Sequence, residues 1–142
     1  MGIFNFGKRS KYGNKKVVHD GMTFDSKKEK ARYEVLKLAE QAGVIQELRR
    51  QVKFELVPAI REEYEEKLKT KTRTKTRTIQ KAITYTADFQ YYHVERDEWV
   101  VEDIKSSPKQ ASLDKCFLLK EKLFRWKYGY NIKRTYSAND SI

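Results

Sequence analysis

The chain has 142 residues, a length typical of one domain with a single hydrophobic core. Its 31 Lys and Arg outnumber its 20 Asp and Glu, and its 13% aromatic content is too high for a disordered basic tail. One cysteine and two histidines exclude an intramolecular disulfide and a Cys/His zinc cluster. Because the chain lacks a long apolar run and a signal-peptide pattern, we expect an intracellular protein with no membrane partner and a polyanionic ligand.

The N-terminal segment, residues 1–19, is predicted to be a basic flexible arm. It contains no acidic residue and carries the basic residues Lys8, Arg9, Lys11, Lys15 and Lys16. Tyr12 in this arm has two open roles, packing in the core or at its rim and stacking on a nucleobase. We expect Tyr91, Tyr92 and Trp126 to lie in the core or at its rim.

The first regular element is predicted to be a helix over residues 27–42. Ser26 and Glu29 fit the capping-box pattern at its start, and Gly43 is a typical residue at its end. Residues 51–57 follow with the composition of a strand.

The next segment, residues 59–78, is predicted to be a charged hairpin insertion. A run of glutamates precedes a stretch in which threonines alternate with basic residues, and a period of two indicates a strand. The basic side chains of this ladder, which share one face, are Lys71, Arg73, Lys75 and Arg77. Two interpretations stay open: a ribbon that contacts nucleic acid, or a solvated hairpin whose acidic and basic halves pair with each other.

The C-terminal half is predicted to contain two paired strands over residues 79–92 and 99–105, a helix over residues 112–128 and a closing strand over residues 130–136. The full order is therefore αβββαβ in a single domain. The predicted helix carries a further basic group, made of Lys109, Lys115, Lys120, Lys122, Arg125 and Lys127. Most of this group is expected to be solvated surface. Lys120 adjoins the apolar stripe, where it either extends over the core or reaches a phosphate near the site.

The residues that suggest chemistry lie on the two paired strands. Alternation places Asp103 and Lys105 on one face, and pairing of the strands brings Asp88 close to Asp103. Two neighbouring carboxylates favour an oxygen-ligated divalent cation, and we expect Mg²⁺, which polarises phosphates and activates water. The alternative is structural: Asp88 caps a strand end, and Asp103 and Lys105 form an exposed ion pair.

The αβββαβ order and these residues resemble the core of the PD-(D/E)XK nuclease superfamily. The runs GMTFDSKKEKARYEVLKLAEQAGVIQELRRQVKFELVP, AITYTADFQYY and WVVEDIKS are also similar to a small family of phage-encoded nucleases related to Holliday-junction resolvases. The resemblance implies a restriction-endonuclease-like fold: an α/β domain with a mixed central sheet flanked by helices. It also implies that Asp88 and Asp103 are metal ligands and that Lys105 is catalytic. Ala87 stands where the superfamily motif has proline, and Asp103 is shorter than the commoner glutamate.

The resemblance also implies a glutamate from the first helix in the site, and Glu29 is the candidate. Its helical position puts it at the edge of the packed face, whereas Glu34 lies away from that face. The alternative role of Glu29 is that of a capping-box acid bonded to the amide of Ser26.

Together these observations predict an endonuclease that requires Mg²⁺, or Mn²⁺ in its place, and acts on DNA as a homodimer in the host cell of a phage. The resemblance to resolvases implies that its substrate is branched. The first alternative is a non-enzymatic basic nucleic-acid-binding protein of phage origin, because a net charge of +11 explains affinity without chemistry. The second alternative is a protein-interaction module whose charge serves solubility.

Overall fold

The computed structural model describes residues 16–19 and 21–142 and shows a mixed α/β protein. In chain order its elements are β1 (Val17–His19), β2 (Met22–Phe24), α1 (Lys27–Gln41), β3 (Ile45–Val57), β4 (Ile60–Lys67), β5 (Thr72–Gln80), β6 (Ile83–His93), β7 (Glu98–Ile104), α2 (Pro108–Leu113), α3 (Lys115–Tyr128) and β8 (Lys133–Thr135). In this part of the chain no helix is both long enough and apolar enough to cross a bilayer.

The central sheet has four strands in the order β3-β6-β7-β8. β3 and β7 are antiparallel to β6, whereas β8 is parallel to β7 and is reached through α2 and α3. Antiparallel strands need only short turns, whereas a parallel pair needs a crossover, so the helices lie where the connection requires them. β4 and β5 form a separate two-stranded hairpin between β3 and β6.

Two apolar clusters cover the two faces of the sheet. One contains Val101 of β7 with Phe117 and Phe124 of α3, and the other contains Val100 of β7 with Leu36 of α1. Because adjacent strand residues point to opposite faces, α1 and α3 pack on opposite faces of the sheet. The predicted mixed sheet flanked by helices is therefore present.

Several boundaries differ from the sequence-based expectations. β3 begins six residues earlier than expected, at Ile45, and β8 is limited to three residues. The predicted helix over residues 112–128 is divided at Asp114, whose side chain accepts a hydrogen bond from the amide of Phe117 and so caps α3. Of the predicted flexible arm, residues 17–19 form β1, and residues 1–15 lie outside the described residues.

Candidate active site

The side-chain alternation of β6 is interrupted at Asp88. Ala87 belongs to the cluster on the α3 face, whereas Phe89 belongs to the cluster on the α1 face. Residues two apart in a regular strand point to the same face. Ala87 and Phe89 point to opposite faces, so the regular alternation is broken between them. Asp88 lies at this irregularity, next to the end of β7.

The neighbouring strand β3 is irregular at the same level. Its pairs Arg50 with Phe89 and Val52 with Ala87 place Gln51 opposite Asp88. Gln51 has a φ of 50°, in the left-handed region that a residue with a side chain rarely adopts. Such strained positions cost about 1–3 kcal/mol and cluster at functional sites. The irregularity in both strands therefore indicates that this part of the sheet is a candidate functional site.

Asp103 and Lys105 are held together beside this irregularity on the α3 face. The Nζ of Lys105 is 2.9 Å from Oδ1 of Asp103, and it also lies 3.7 Å from the centroid of the Phe117 ring. The other carboxylate oxygen, Oδ2, accepts a 2.6 Å hydrogen bond from the hydroxyl of Tyr85. Asp103 is only 7% exposed, so this pair is not the exposed ion pair of the structural alternative.

Asp88 is the least compensated acid of the site. Its Oδ2 accepts a 2.7 Å hydrogen bond from the amide of Ile104, which fixes the carboxylate at the end of β7. Burial, together with the nearby charges of Asp103 and Glu29, raises the pKa of Asp88 to about 7, although the Ile104 amide and the charge of Lys105 act in the opposite direction. A group that shares its surroundings with two other acids is one that a cation would stabilise.

Glu29 joins the site through Gln51. Its Oε1 accepts a 3.0 Å hydrogen bond from the side-chain amide of Gln51, which also lies 3.4 Å from Oδ1 of Asp88. Its Oε2 accepts from the backbone amide of Asp25, and Ser26 caps the amide of Glu29. Glu29 is therefore a helix cap and a neighbour of the acidic pair at once, with its bond going to Asp25 rather than to Ser26.

Arg50 supplies a second cation at the edge of the site. Its guanidinium carbon lies 3.8 Å from the centroid of the Phe24 ring, and Nη2 donates to the carbonyl of Thr23 and approaches Oε1 of Glu29 at 3.4 Å. Its Nε is buried and has no hydrogen-bond partner among the described residues. Among the described residues, Lys105 thus pairs with Asp103 and Arg50 with Glu29, whereas Asp88 makes no ion pair.

The donor atoms fit a hard divalent cation at Asp88 and Asp103, because carboxylate oxygens are the ligands that Mg²⁺ prefers. Within residues 16–19 and 21–142, no group of three or more His, Cys, Asp or Glu has an arrangement that could hold a metal ion. The third acid, Glu29, is turned toward Gln51, Arg50 and Asp25. Glu29 is therefore engaged by protein groups, and Asp88 and Asp103 are the neighbouring acids whose oxygens suit direct ligation.

Gln51, Arg50 and Tyr85 are residues of the candidate site that the sequence did not predict. Gln51 is the first residue of the predicted strand, and Arg50 directly precedes it. No local sequence pattern predicts a left-handed backbone conformation at a residue other than glycine. Tyr85 had a weak signal, because it lies on the strand of Asp88 in a run rich in aromatic residues. Its contact with Asp103 depends on the twist and pairing of two strands, which only the folded chain supplies.

The predicted basic ladder is largely paired with acids of its own hairpin. Arg73 and Lys75 lie 2.6 and 2.7 Å from Oε2 of Glu66, and Arg77 pairs with Glu62. Lys71 lies in the connection between β4 and β5 rather than on the ladder's strand. Lys120 lies on α3, three residues after Phe117, and is partly buried.

Similarity to known proteins extends over almost the whole chain, at the level of a family. Neither the curated proteins nor the solved structures compared with this chain include a match. A family model described as "Protein of unknown function (DUF1064)" matches residues 9–140, and the chain therefore belongs to that family.

Proposed function

We propose that this protein is a Mg²⁺-dependent endonuclease that hydrolyses phosphodiester bonds in DNA. The observation that carries the proposal is the meeting of Asp88, Asp103 and Lys105 at a kink in a buried sheet, with Glu29 linked to them through Gln51. Buried acids that repel each other beside a lysine are typical of sites built for a cation and a phosphate.

The strand arrangement supports the same proposal at the level of the fold. A helix, three antiparallel strands, a helical crossover and a parallel fourth strand follow one another as in a restriction-endonuclease-like core. The acids stand where two central strands meet, on β6 and β7, and the lysine follows β7 directly. The β4–β5 hairpin is an insertion between the first and second strands of that core.

The residues of the chain have separable tasks in this proposal. A bound Mg²⁺ supplies Lewis-acid polarisation of the phosphate and lowers the pKa of its water. Asp88 and Asp103 hold the cation, and the Ile104 amide and Tyr85 hydroxyl fix the orientation of their carboxylates. Lys105, held over the Phe117 ring, orients the attacking water or stabilises the charge that develops on the phosphate.

Preference for branched DNA and action as a homodimer belong to the same proposal. Two symmetric incisions need two sites, and a twofold dimer supplies them through one self-complementary surface. Structure-selective recognition needs basic surfaces that hold diverging backbones rather than side chains that read base edges. The net charge of +11 supports such surfaces.

The deciding experiment is cleavage of a labelled four-way junction and a matched linear duplex at about 0.1 M salt, with Mg²⁺, Mn²⁺ or EDTA. We expect metal-dependent cleavage that prefers the junction. Asp103→Ala and Lys105→Ala should each lower the rate by at least about 10³-fold and leave DNA affinity in EDTA nearly unchanged, because affinity comes from dispersed phosphate contacts.

Glu98→Ala is the matched control, because Glu98 is an exposed acid at the other end of β7. Cleavage at the wild-type rate in both site variants, with contaminating nuclease excluded, would contradict the proposal. Binding that survives EDTA without cleavage in any condition would favour the second candidate, a non-enzymatic nucleic-acid-binding protein. That candidate is supported by the ion pair that Asp103 already makes with Lys105.

A further inference from the structure

The outer face of α3 carries a stripe of exposed basic and apolar side chains. Phe117 and Phe124 point into the core, and the stripe lies about 180° from them around the helix. We name it the α3 stripe; its members are Lys115, Leu119, Lys122 and Trp126. Their spacing places all four within about 60° of arc.

Trp126 is the most exposed of the large apolar side chains in the described residues. Trp126 is 78% exposed, and Leu119, on the same outer face of α3, is 57% exposed. The expectation that Trp126 lies in the core or at its rim is therefore wrong: Phe124 takes the inward position two residues earlier. An exposed indole on the same helical face as a second exposed apolar side chain indicates a binding surface.

The charge around the stripe identifies the kind of partner. Arg125 borders it, and the acids of α3 and its cap are already engaged: Asp114 caps the amide of Phe117, and Glu121 is held by both ends of the Arg134 fork at 2.6 and 2.8 Å. A second copy of the chain would set lysines against lysines across a twofold axis. A polyanion that also offers flat apolar surfaces is complementary, and nucleic acid with unpaired bases has both properties.

We propose that the α3 stripe binds single-stranded DNA, with a base stacked on Trp126 and phosphates contacted by Lys115 and Lys122. This inference rests on the proposed function for the choice of DNA and deepens it by naming the part of the substrate that is held. Trp126 lies nine residues beyond Phe117, which contacts Lys105 of the site. The separation along the helix axis is roughly 13 Å, so a strand that also passes around the helix needs more than about four nucleotides to reach both surfaces.

The stripe and the candidate active site lie on different sides of α3, because Phe117 faces the sheet and Trp126 faces away from it. A continuous duplex bound at the candidate active site does not have to contact the α3 stripe. A strand that departs from the duplex at a branch can occupy the site at one end and the stripe at the other. The α3 stripe therefore gives a physical basis for selecting branched or partly single-stranded DNA.

The test uses the intrinsic fluorescence of the full chain in EDTA, so that no cleavage takes place. The chain has two tryptophans, and Trp99→Phe leaves Trp126 as the only indole. In this background we expect oligo-dT to quench the fluorescence, and Trp126→Ala in the wild-type chain to weaken oligo-dT binding by about 5- to 150-fold. Trp126→Phe should retain most of the affinity, because phenylalanine also stacks.

Lys115→Gln with Lys122→Gln should reduce the salt dependence of oligo-dT binding by about 1.4 units of log-log slope, at about 0.7 per contact. Absent quenching, or less than a twofold loss in Trp126→Ala, overturns the inference. So does a Trp126→Ala variant that turns a dimer into a monomer without losing oligo-dT affinity, because the stripe would then join two copies. Quenching without metal-dependent cleavage of any substrate would retain the stripe and reject the nuclease, so the two proposals fail separately.

Discussion

Glu102 and Asp103 are neighbours on β7, and both are buried, but they lie on opposite faces of the sheet in opposite electrostatic surroundings. Glu102 has two cations for one carboxylate. The fork of Arg32 donates to both of its oxygens at 2.9 and 2.6 Å, and Nζ of Lys133 lies 3.5 Å away. The hydroxyl of Tyr91 donates to the same carboxylate at 2.6 Å.

Around Asp103 the acids are less completely compensated: Lys105 pairs with Asp103 and Arg50 pairs with Glu29, whereas none of the ion pairs among the described residues includes Asp88. The difference separates two uses of a buried acid. A carboxylate with full compensation stabilises one arrangement of the chain, and it offers nothing to a ligand. Carboxylates with incomplete compensation store repulsion, which a cation relieves when it binds.

The balanced side also connects parts of the chain that are distant in sequence. Arg32 lies on α1, one turn after Glu29, and is fully buried. Besides Glu102 it donates to the carbonyls of Ala138, Asp140 and Ser141. The ion pair therefore fixes α1, β7 and the C-terminal segment together, directly behind the acids of the candidate site.

The largest expected effect comes from removing one half of the balanced pair. Arg32→Met leaves Glu102 buried without its main partner, which typically costs about 3–5 kcal/mol of unfolding free energy. Urea unfolding followed by circular dichroism measures the loss. Lys37→Met is the matched control on the same helix, because the Lys37–Glu40 pair is partly exposed and surface pairs contribute about 0–1 kcal/mol. Equal losses of unfolding free energy in the two variants would show that the buried ion pair stabilises the fold no more than the pair on the helix surface.

On the underbalanced side we expect a loss of activity rather than of stability. Glu29→Gln keeps an oxygen that can accept from the amide of Asp25, so the helix cap survives. It removes a negative charge beside Asp88 and Gln51, and loss of a residue that supports a metal site typically costs about 10- to 100-fold in activity. The measurement is kcat/KM on junction DNA with Mg²⁺.

Glu34→Gln is the control for that experiment, because Glu34 is an exposed acid of the same helix. Equal activity of the two variants would leave Glu29 as a helix cap and nothing more.

Strand alternation, helical spacing and capping patterns predicted those features of the molecule that depend on residues close together in the sequence. Regular alternation sufficed to place Asp103 and Lys105 together, and a capping pattern with helical spacing sufficed to start α1 at Lys27 and to bury Glu29. The division of the second helix at Asp114 was missed, because an N-cap inside a helical pattern reads as one more polar residue.

The rest depends on contacts between distant segments. The kink at Gln51 comes from a left-handed residue that is not glycine, so no composition signal marks it. The Arg32–Glu102 pair requires an arginine in the apolar stripe of α1, four residues before Leu36, to meet an acid inside an apolar strand. Each residue alone looks like an exception to the pattern, and only the fold makes them partners.

The raised pKa of Asp88 predicts a smaller effect, on the pH dependence of stability. Asp88 has a pKa of about 7 in the folded protein against 3.8 as the ordinary value, so between these values the folded chain holds a proton that the unfolded chain releases. Stability should therefore fall as the pH rises from about 4 to about 7. Asp88→Asn removes this fall, so the stability of the variant relative to the wild type should be higher at pH 8 than at pH 4.5.

Thermal unfolding at pH 4.5 and pH 8 in EDTA tests this expectation, with Glu98→Gln as an exposed acid of the same sheet for comparison. An Asp88→Asn variant that is less stable than the wild type at both pH values would contradict it, and would mean that the Ile104 contact needs the charged carboxylate.

The smallest expected effect concerns the β4–β5 hairpin, where acidic and basic side chains form solvent-exposed ion pairs with each other. Four independent phosphate contacts by Lys71, Arg73, Lys75 and Arg77 would contribute about 3.6 units of log-log salt slope. Because Arg73, Lys75 and Arg77 already pair with glutamates, DNA replaces an existing partner and releases fewer counterions. We therefore expect the change of all four to Gln to lower the slope by only about 1 to 2 units.

The sharper experiment removes the acids of the hairpin instead. Glu62→Gln with Glu66→Gln frees Arg73, Lys75 and Arg77, which should strengthen duplex binding and steepen its salt dependence if the ladder faces DNA. Glu63→Gln with Glu65→Gln is the matched control, because these acids lie opposite threonines on the other face of the hairpin. Filter binding in EDTA across a salt series measures both slopes. Identical slopes in the two double variants would show that general charge, and not the ladder's face, determines binding, and the hairpin would then be a solvated insertion.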